Sequence, residues 1–252
     1  MSNKLDWESF KPKFHVSWHK KMQPFFESEK AWDIYQFLKK RGEDYKILPF
    51  SSHTFNAFKV TPLTELKLIV IGMEPYSGML GKKPQSNGIA MDCENISPKL
   101  QPSLEYFYYG LQNSFPDLNI EARSSLKDFY NQGVLFINSS LTVEKNAIGT
   151  HLKLKSDEFP TKNLWEAFQK YIFQEIFFYE NQCPIILLGA DAQKLERYTD
   201  PFRNVVFKTN HPSFAARTFD KEWDADMVFP KANKYIEQTI GKDYIVKWDF
   251  KT

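Results

Sequence analysis

The chain has 252 residues, 42% of them hydrophobic, which is enough for one large core. Its 33 basic and 31 acidic residues leave a formal charge of +2, so bulk charge does not announce a nucleic-acid binder. Cys93 and Cys183 lie far apart, which excludes a zinc-ligand spacing or a disulfide framework and points to a reducing compartment.

There is no apolar run long enough to span a membrane and no signal-peptide pattern at Met1, so the expectation is an intracellular, cytoplasmic protein with no membrane partner. Lys11 to Lys21, Lys39 to Arg41 and Lys82-Lys83 read as solvated faces on charge pattern alone. No repeat or low-complexity linker divides the chain. Residues 1–252 are read as a single domain, with 1–45 an N-terminal helical extension of it.

Phe10 to Phe26 mixes aromatic and basic residues and reads as helical or irregular. Ser28 can cap a helix that runs through Ala31, Ile34, Tyr35 and Leu38 to about Arg41-Gly42. Ile47 to Phe58 reads as a loop and packing segment. Leu68 to Ile71 is a short β-branched run ending at Gly72, the pattern of a buried parallel strand. Gly78, Gly81 and Pro84 mark Ser77 to Asn87 as a loop. Pro102 opens a helix with Leu104, Phe107, Tyr108 and Leu111 on one face. Val134 to Ile137 is a second buried strand, ending at Asn138.

Thr161 is placed to cap a long helix on which Leu164, Phe168, Tyr171, Ile172 and Ile176 recur at helical spacing. Pro184 to Leu188 is a third strand, followed by Gly189 and a short helix over Ala192 to Tyr198. Val205 to Phe207 is a fourth strand, followed by His211-Pro212-Ser213. A last helix covers Met227 to Ile240. Strands alternating with helices predict an α/β fold with a parallel sheet and crossovers.

Three strands thus deliver Glu74, Asn138 and His211 near their carboxyl ends, where open α/β sheets bind ligands. Asn138 offers a donor and an acceptor in one plane, which suits an imide edge. A histidine can donate to an oxygen where negative charge develops, and a carboxylate can orient water or stabilise a cation. Read singly, each has a plain explanation. Glu74 could be a solvated loop residue, Asn138 could satisfy turn backbone, and His211 could shape a loop before Pro212.

Further motifs surround these residues. Gly72-Met73-Glu74-Pro75-Tyr76-Ser77 follows the first strand, and Asn87-Gly88-Ile89-Ala90-Met91 follows the loop. Pro102-Ser103-Leu104, Gly133 to Asn138 with Leu141-Thr142-Val143, and His151 then Trp165 and Phe168 come next. Leu187-Leu188-Gly189-Ala190 with Ala192-Gln193, then His211-Pro212-Ser213, complete the series. In this order and spacing the chain resembles the family of classical uracil-DNA glycosylases, collinearly from about Pro49 to the last helix.

The resemblance implies a three-layer sandwich, in which a central, mostly parallel four-stranded sheet is flanked by helices. It implies a DNA N-glycosylase in base excision repair that flips uracil out of single- or double-stranded DNA. His211 would stabilise the departing base, and Glu74 would orient water and counter positive charge on the sugar. Met73, Tyr76, Met91 and Asn138 would form the base pocket, with Tyr76 rejecting thymine. DNA contacts would come from Pro102, Ser103, Gly189, Ala190, Ser213, Phe214 and Arg217. No metal or organic cofactor is implied, and a monomer is expected.

The chain departs from the family pattern inside the site. Glu74 stands for an Asp, Ser77 for a His, Met91 for a stacking Phe and Ala190 for a Ser. The wedge Leu falls on Ala215, with Phe214 or Arg217 as substitutes. Two other readings follow from these departures. One is a catalytically weak or inactive DNA-binding or replication accessory protein with a replication-protein partner. The other is a glycosylase for a modified base.

Overall fold

A computed structural model describes residues 4–93, 100–155, 157–180 and 182–249. Helix α1 spans Glu29–Asp44, and the Ser28 hydroxyl accepts from Ala31 N–H at its start. Strand β1 is Ile47–Leu48 and β2 is Leu68–Gly72. Helix α2 (Pro102–Ser114) precedes β3 (Val134–Asn138) and β4 (Val143–Glu144). Helix α3 (Glu166–Ile172) continues as a wider π turn over Phe173–Phe177 and leads to β5 (Ile185–Leu188). Then come the short α4 (Ala190–Gln193), β6 (Val206–Thr209), α5 (Pro212–Thr218) and α6 (Val228–Thr239).

The sheet order is β3-β2-β5-β6, with every neighbouring pair parallel. Parallel strands need covered faces, and β2, β3 and β5 are accordingly buried at every position. Edge strand β6 is less enclosed and carries the exposed Lys208, which discourages further strand pairing. The expected α/β sandwich of four strands and flanking helices is the observed one.

The many aromatics are spent on two packing layers. Phe107 of α2 meets Phe136 of β3 at 6.1 Å and Phe229 of α6 at 5.4 Å. Phe168 of α3 meets Phe58 at 5.7 Å, Phe25 at 5.2 Å and Trp165 at 5.9 Å. Both Phe107 and Phe168 are fully buried, and each such side chain contributes about 2–3 kcal/mol of burial. These layers fix the helices on the sheet and leave the carboxyl ends of the strands for the site.

Several local expectations change. Ile47–Leu48 is not loop but pairs antiparallel with Val143–Glu144, a partner almost a hundred residues away. The stretch after Ser77 contains a two-residue hairpin, Met79–Leu80 on Lys83–Pro84. Thr161 does not cap α3; its hydroxyl donates to Asn163 O at 2.8 Å, and the helix starts four residues later than a Thr161 cap would set it. Asn163 does the anchoring. Its Oδ1 accepts from Trp165 N–H at 2.9 Å, and its Nδ2 donates to Ser139 O at 3.0 Å. Helix α6 begins at Val228, because Met227 takes a left-handed backbone (φ 57°) that cannot continue a helix backward.

Candidate active site

The first cluster forms over Gly72, the last residue of β2. In the sheet register Gly72 sits beside Asn138, the last residue of β3. A Cβ at Gly72 would lie 2.7 Å from Asn138 Oδ1 and 3.8 Å from His211 Nε2. The missing side chain therefore leaves a small volume into which the amide of β3 and the imidazole after β6 both point. Ala90 forms another wall of it, its Cβ 3.6 Å from the same point. The strand ends are tied together: Ser139 N–H donates to Gly72 O at 3.0 Å, Ser140 N–H to Met73 O at 3.1 Å, and Gln169 Nε2 to Asn138 O at 2.8 Å.

His211 is the N-cap of α5. Its Nδ1 accepts from Ser213 N–H at 3.1 Å and lies 2.9 Å from Ser213 Oγ. Burial, aided by the nearby Arg217 charge, lowers its pKa to about 4. At neutral pH the ring is therefore neutral. Because the Ser213 amide occupies Nδ1, the single ring proton sits on Nε2, the nitrogen that faces Gly72 and Asn138. Gly189 makes room for this histidine. It has φ of 85°, and a Cβ there would come within 2.7 Å of His211 Cβ.

Glu74 lies just beyond. Gly149 N–H donates to both of its carboxylate oxygens, at 2.8 and 2.9 Å. Burial raises the Glu74 pKa to about 7; Asp191 pushes the same way, while the Gly149 hydrogen bond and the Lys153 charge oppose it. The group thus titrates near neutrality, the property of a tuned general base.

The loop that carries Gly149 is held from behind. Asn146 N–H donates to Ser77 O at 2.8 Å, and Glu144 N–H to Thr150 Oγ1 at 3.0 Å. Arg41 of α1 forms an ion pair with the buried Glu144 carboxylate. Beneath it, Thr142 Oγ1 accepts from Trp165 Nε1 at 2.7 Å and contacts His151 Nδ1 at 2.8 Å. His151 is fully buried, and burial lowers its pKa to about 4, so it is a neutral structural residue.

Tyr76, Met91 and Ser103 form the third cluster. The Tyr76 hydroxyl donates to Met91 O at 3.1 Å and pairs with Ser103 Oγ at 2.8 Å. Its ring is thereby fixed, and burial raises its pKa. Met91 itself is buried with a left-handed backbone (φ 65°). The segment before it is braced by buried Asp92, which accepts from Asn87 Nδ2 at 3.0 Å and Leu126 N–H at 2.8 Å.

Some residues expected at DNA are otherwise occupied. Ser103 is buried and its hydroxyl pairs with that of Tyr76. The Gly189 N–H is donated to Thr209 O at 2.8 Å and is not offered outward. Ala190 is exposed but has no hydroxyl, and the next residue, Asp191, brings a carboxylate paired with Lys194 at 2.6 Å. Ser213 Oγ also accepts from Arg217 Nη1 at 3.2 Å. Pro102 is exposed at the start of α2. Ala215 is buried, whereas Phe214 is 47% exposed, so Phe214 does not pack inward.

Gly149, Lys153, Asp191 and the Arg41–Glu144 pair escaped the sequence reading. The only available signal was the glycine in Ile148-Gly149-Thr150, which by itself marks a turn.

A family model described as the uracil DNA glycosylase superfamily matches residues 58–237. The chain is 30% identical over 230 residues to a uracil-DNA glycosylase of Azobacteroides pseudotrichonymphae, covering 90% of this chain and 96% of that relative. It is 30% identical over 223 residues to one of Acinetobacter baylyi, covering 88% of this chain and 87% of that protein. Among solved structures, mimivirus uracil-DNA glycosylase superposes with a TM-score of 0.76 at 19% identity, over 98% of this chain and 91% of that one.

Proposed function

The chain belongs to the uracil DNA glycosylase superfamily, and from that premise we propose that it flips uracil out of DNA and hydrolyses its N-glycosidic bond. The observation that carries this reading is the convergence of Asn138 Oδ1 and His211 Nε2 on the space above Gly72. An amide with a donor and an acceptor side by side matches the imide edge of uracil. A neutral imidazole with its proton on Nε2 can donate to a uracil carbonyl oxygen.

The chemistry then follows from charge. The bond between the sugar C1′ and the base N1 breaks, and its electron pair leaves with uracil as an anion. His211 Nε2–H stabilises the oxygen on which that charge accumulates. The sugar is left with oxocarbenium character. The Glu74 carboxylate faces this positive charge and orients a water whose oxygen bonds to C1′ and whose proton passes to the carboxylate. Tyr76, fixed by Met91 and Ser103, forms the pocket wall against a 5-methyl group. Met73 and Met91 complete the pocket, and Pro102, Ser213, Phe214 and Arg217 face the strand. Backbone contacts of this kind position the nucleotide without reading it.

The test is cleavage of an oligonucleotide with one uracil, single-stranded and paired, followed by alkali. Wild type should produce strand breaks that Glu74→Gln and His211→Ala abolish. Asn138→Asp, which loses the amide donor, should shift the choice of base away from uracil. An inert wild type beside an active control glycosylase would sink the reading and favour a binding subunit.

A further inference from the structure

Ala215 is buried and cannot fill the gap that a flipped nucleotide leaves in the base stack. Another residue has the chemistry for that task. Ile148 is 81% exposed, the tip of the loop whose next residue, Gly149, holds Glu74. Burial against the protein does not explain an isoleucine so placed.

The tip is also held still. On one side Asn146 N–H bonds Ser77 O at 2.8 Å, and on the other Gly149 N–H bonds the Glu74 carboxylate. Lys153 N–H returns to Gly149 O at 3.0 Å and closes the turn. An exposed apolar residue on a hydrogen-bonded turn is therefore joined, through Gly149, to the carboxylate that would face the sugar.

The charges around it suit a nucleic acid. Lys145 is exposed three residues before Ile148 and has no carboxylate partner among the described residues. The Lys153 chain crosses Gly149, its Cδ 3.7 Å from where a Cβ would stand. An apolar tip flanked by lysines is the pattern of a side chain that enters a base stack while cations hold the phosphates.

Other exposed apolar residues are less well placed. Phe202 precedes β6, at the amino end of the sheet and away from the site. Phe219 lies past the far end of α5, about 12 Å along the helix from His211. Phe214, in the first turn of the helix that His211 caps, also borders the site.

We propose that Ile148 is a DNA-contacting residue that enters the base stack of duplex DNA beside the flipped nucleotide, with Lys145 on a neighbouring phosphate. This rests on the glycosylase reading above. The partner is duplex DNA with one extrahelical nucleotide.

The test compares wild type, Ile148→Ala, Ile148→Leu, Lys145→Gln and Phe214→Ala on paired and single-stranded uracil substrates. Ile148→Ala should lower the paired-to-single-strand ratio of kcat/KM by about tenfold, because the wedge acts only where a stack must be opened. Ile148→Leu should restore it. Lys145→Gln should weaken duplex binding and reduce the slope of log affinity against log salt by about 1.

A parallel arm uses Glu74→Gln protein and 2-aminopurine beside the uracil. Adding Ile148→Ala should reduce the fluorescence rise that reports unstacking. An unchanged ratio with an unchanged fluorescence rise would overturn the proposal. So would an equal loss of rate on both substrates, since that would place the effect in Glu74 geometry. If wild type cleaves neither substrate, the glycosylase reading fails, and the fluorescence arm still decides whether Ile148 enters the stack.

Discussion

The backbone N–H of Gly149 donates to both carboxylate oxygens of Glu74, at 2.8 and 2.9 Å. Glu74 is one methylene longer than the Asp that its motif resembles. The carboxylate meets a loop that follows β4, seventy-five residues along the chain. The site is therefore assembled from a strand end and a loop that α1 braces through Arg41 and Glu144.

Excision should depend on pH through Glu74. Burial raises the Glu74 pKa to about 7, and the carboxylate is the form that orients water. The single-turnover rate should rise through about pH 7 and level off above it. His211, lowered to about 4, stays neutral throughout this range and adds no second limb. Rates measured from pH 5.5 to 9 check this, and a profile flat through pH 7 would remove Glu74 as the base.

Stability should respond to the same group with the opposite preference. A carboxyl whose folded pKa is raised stabilises the fold below its unfolded value of 4.5, and that contribution is lost as pH rises through about 7. Glu74→Gln mimics the protonated form. The variant should melt at a higher temperature than wild type at pH 8, and the gap should close as pH falls toward 4.5. Thermal melts across that range test the sign.

Gly72→Ala should block the pocket while keeping the fold. Its Cβ would stand 2.7 Å from Asn138 Oδ1, so the amide must move. A displacement near 1 Å can cost about 100-fold in rate, and a loss of that order is expected. Far-ultraviolet circular dichroism should be unchanged. A variant with wild-type excision would mean that the base does not occupy this space.

Arg41→Met should impair both stability and excision from outside the site. It leaves the Glu144 carboxylate, 7% exposed, without its ion-pair partner, at a cost of about 3 kcal/mol. The loop bearing Gly149 loosens with it. The double change Arg41→Met with Glu144→Met should recover most of the melting temperature, because a buried apolar pair replaces a buried charge.

Leu68 to Ile71, Val134 to Ile137 and Pro184 to Leu188 were legible as buried strands, and Leu68–Gly72, Val134–Asn138 and Ile185–Leu188 are strands, because a parallel strand covered on both faces is apolar along its length. Their alternation with helices set the fold class, and Glu74, Asn138 and His211 could be placed at strand ends. The motif order carried the family. Proximity lay elsewhere. Gly72 looked like a turn residue, and only the β2–β3 register and the α5 cap brought Asn138 and His211 to it. Ser103 looked available for a phosphate, and folding gave its hydroxyl to Tyr76. Ile47–Leu48 became a strand because Val143–Glu144 came alongside. Gly149 became the holder of Glu74 through a backbone N–H, which every non-proline residue has and no sequence pattern distinguishes. Periodicity and composition record what each segment buries; partners distant in the chain are chosen by packing.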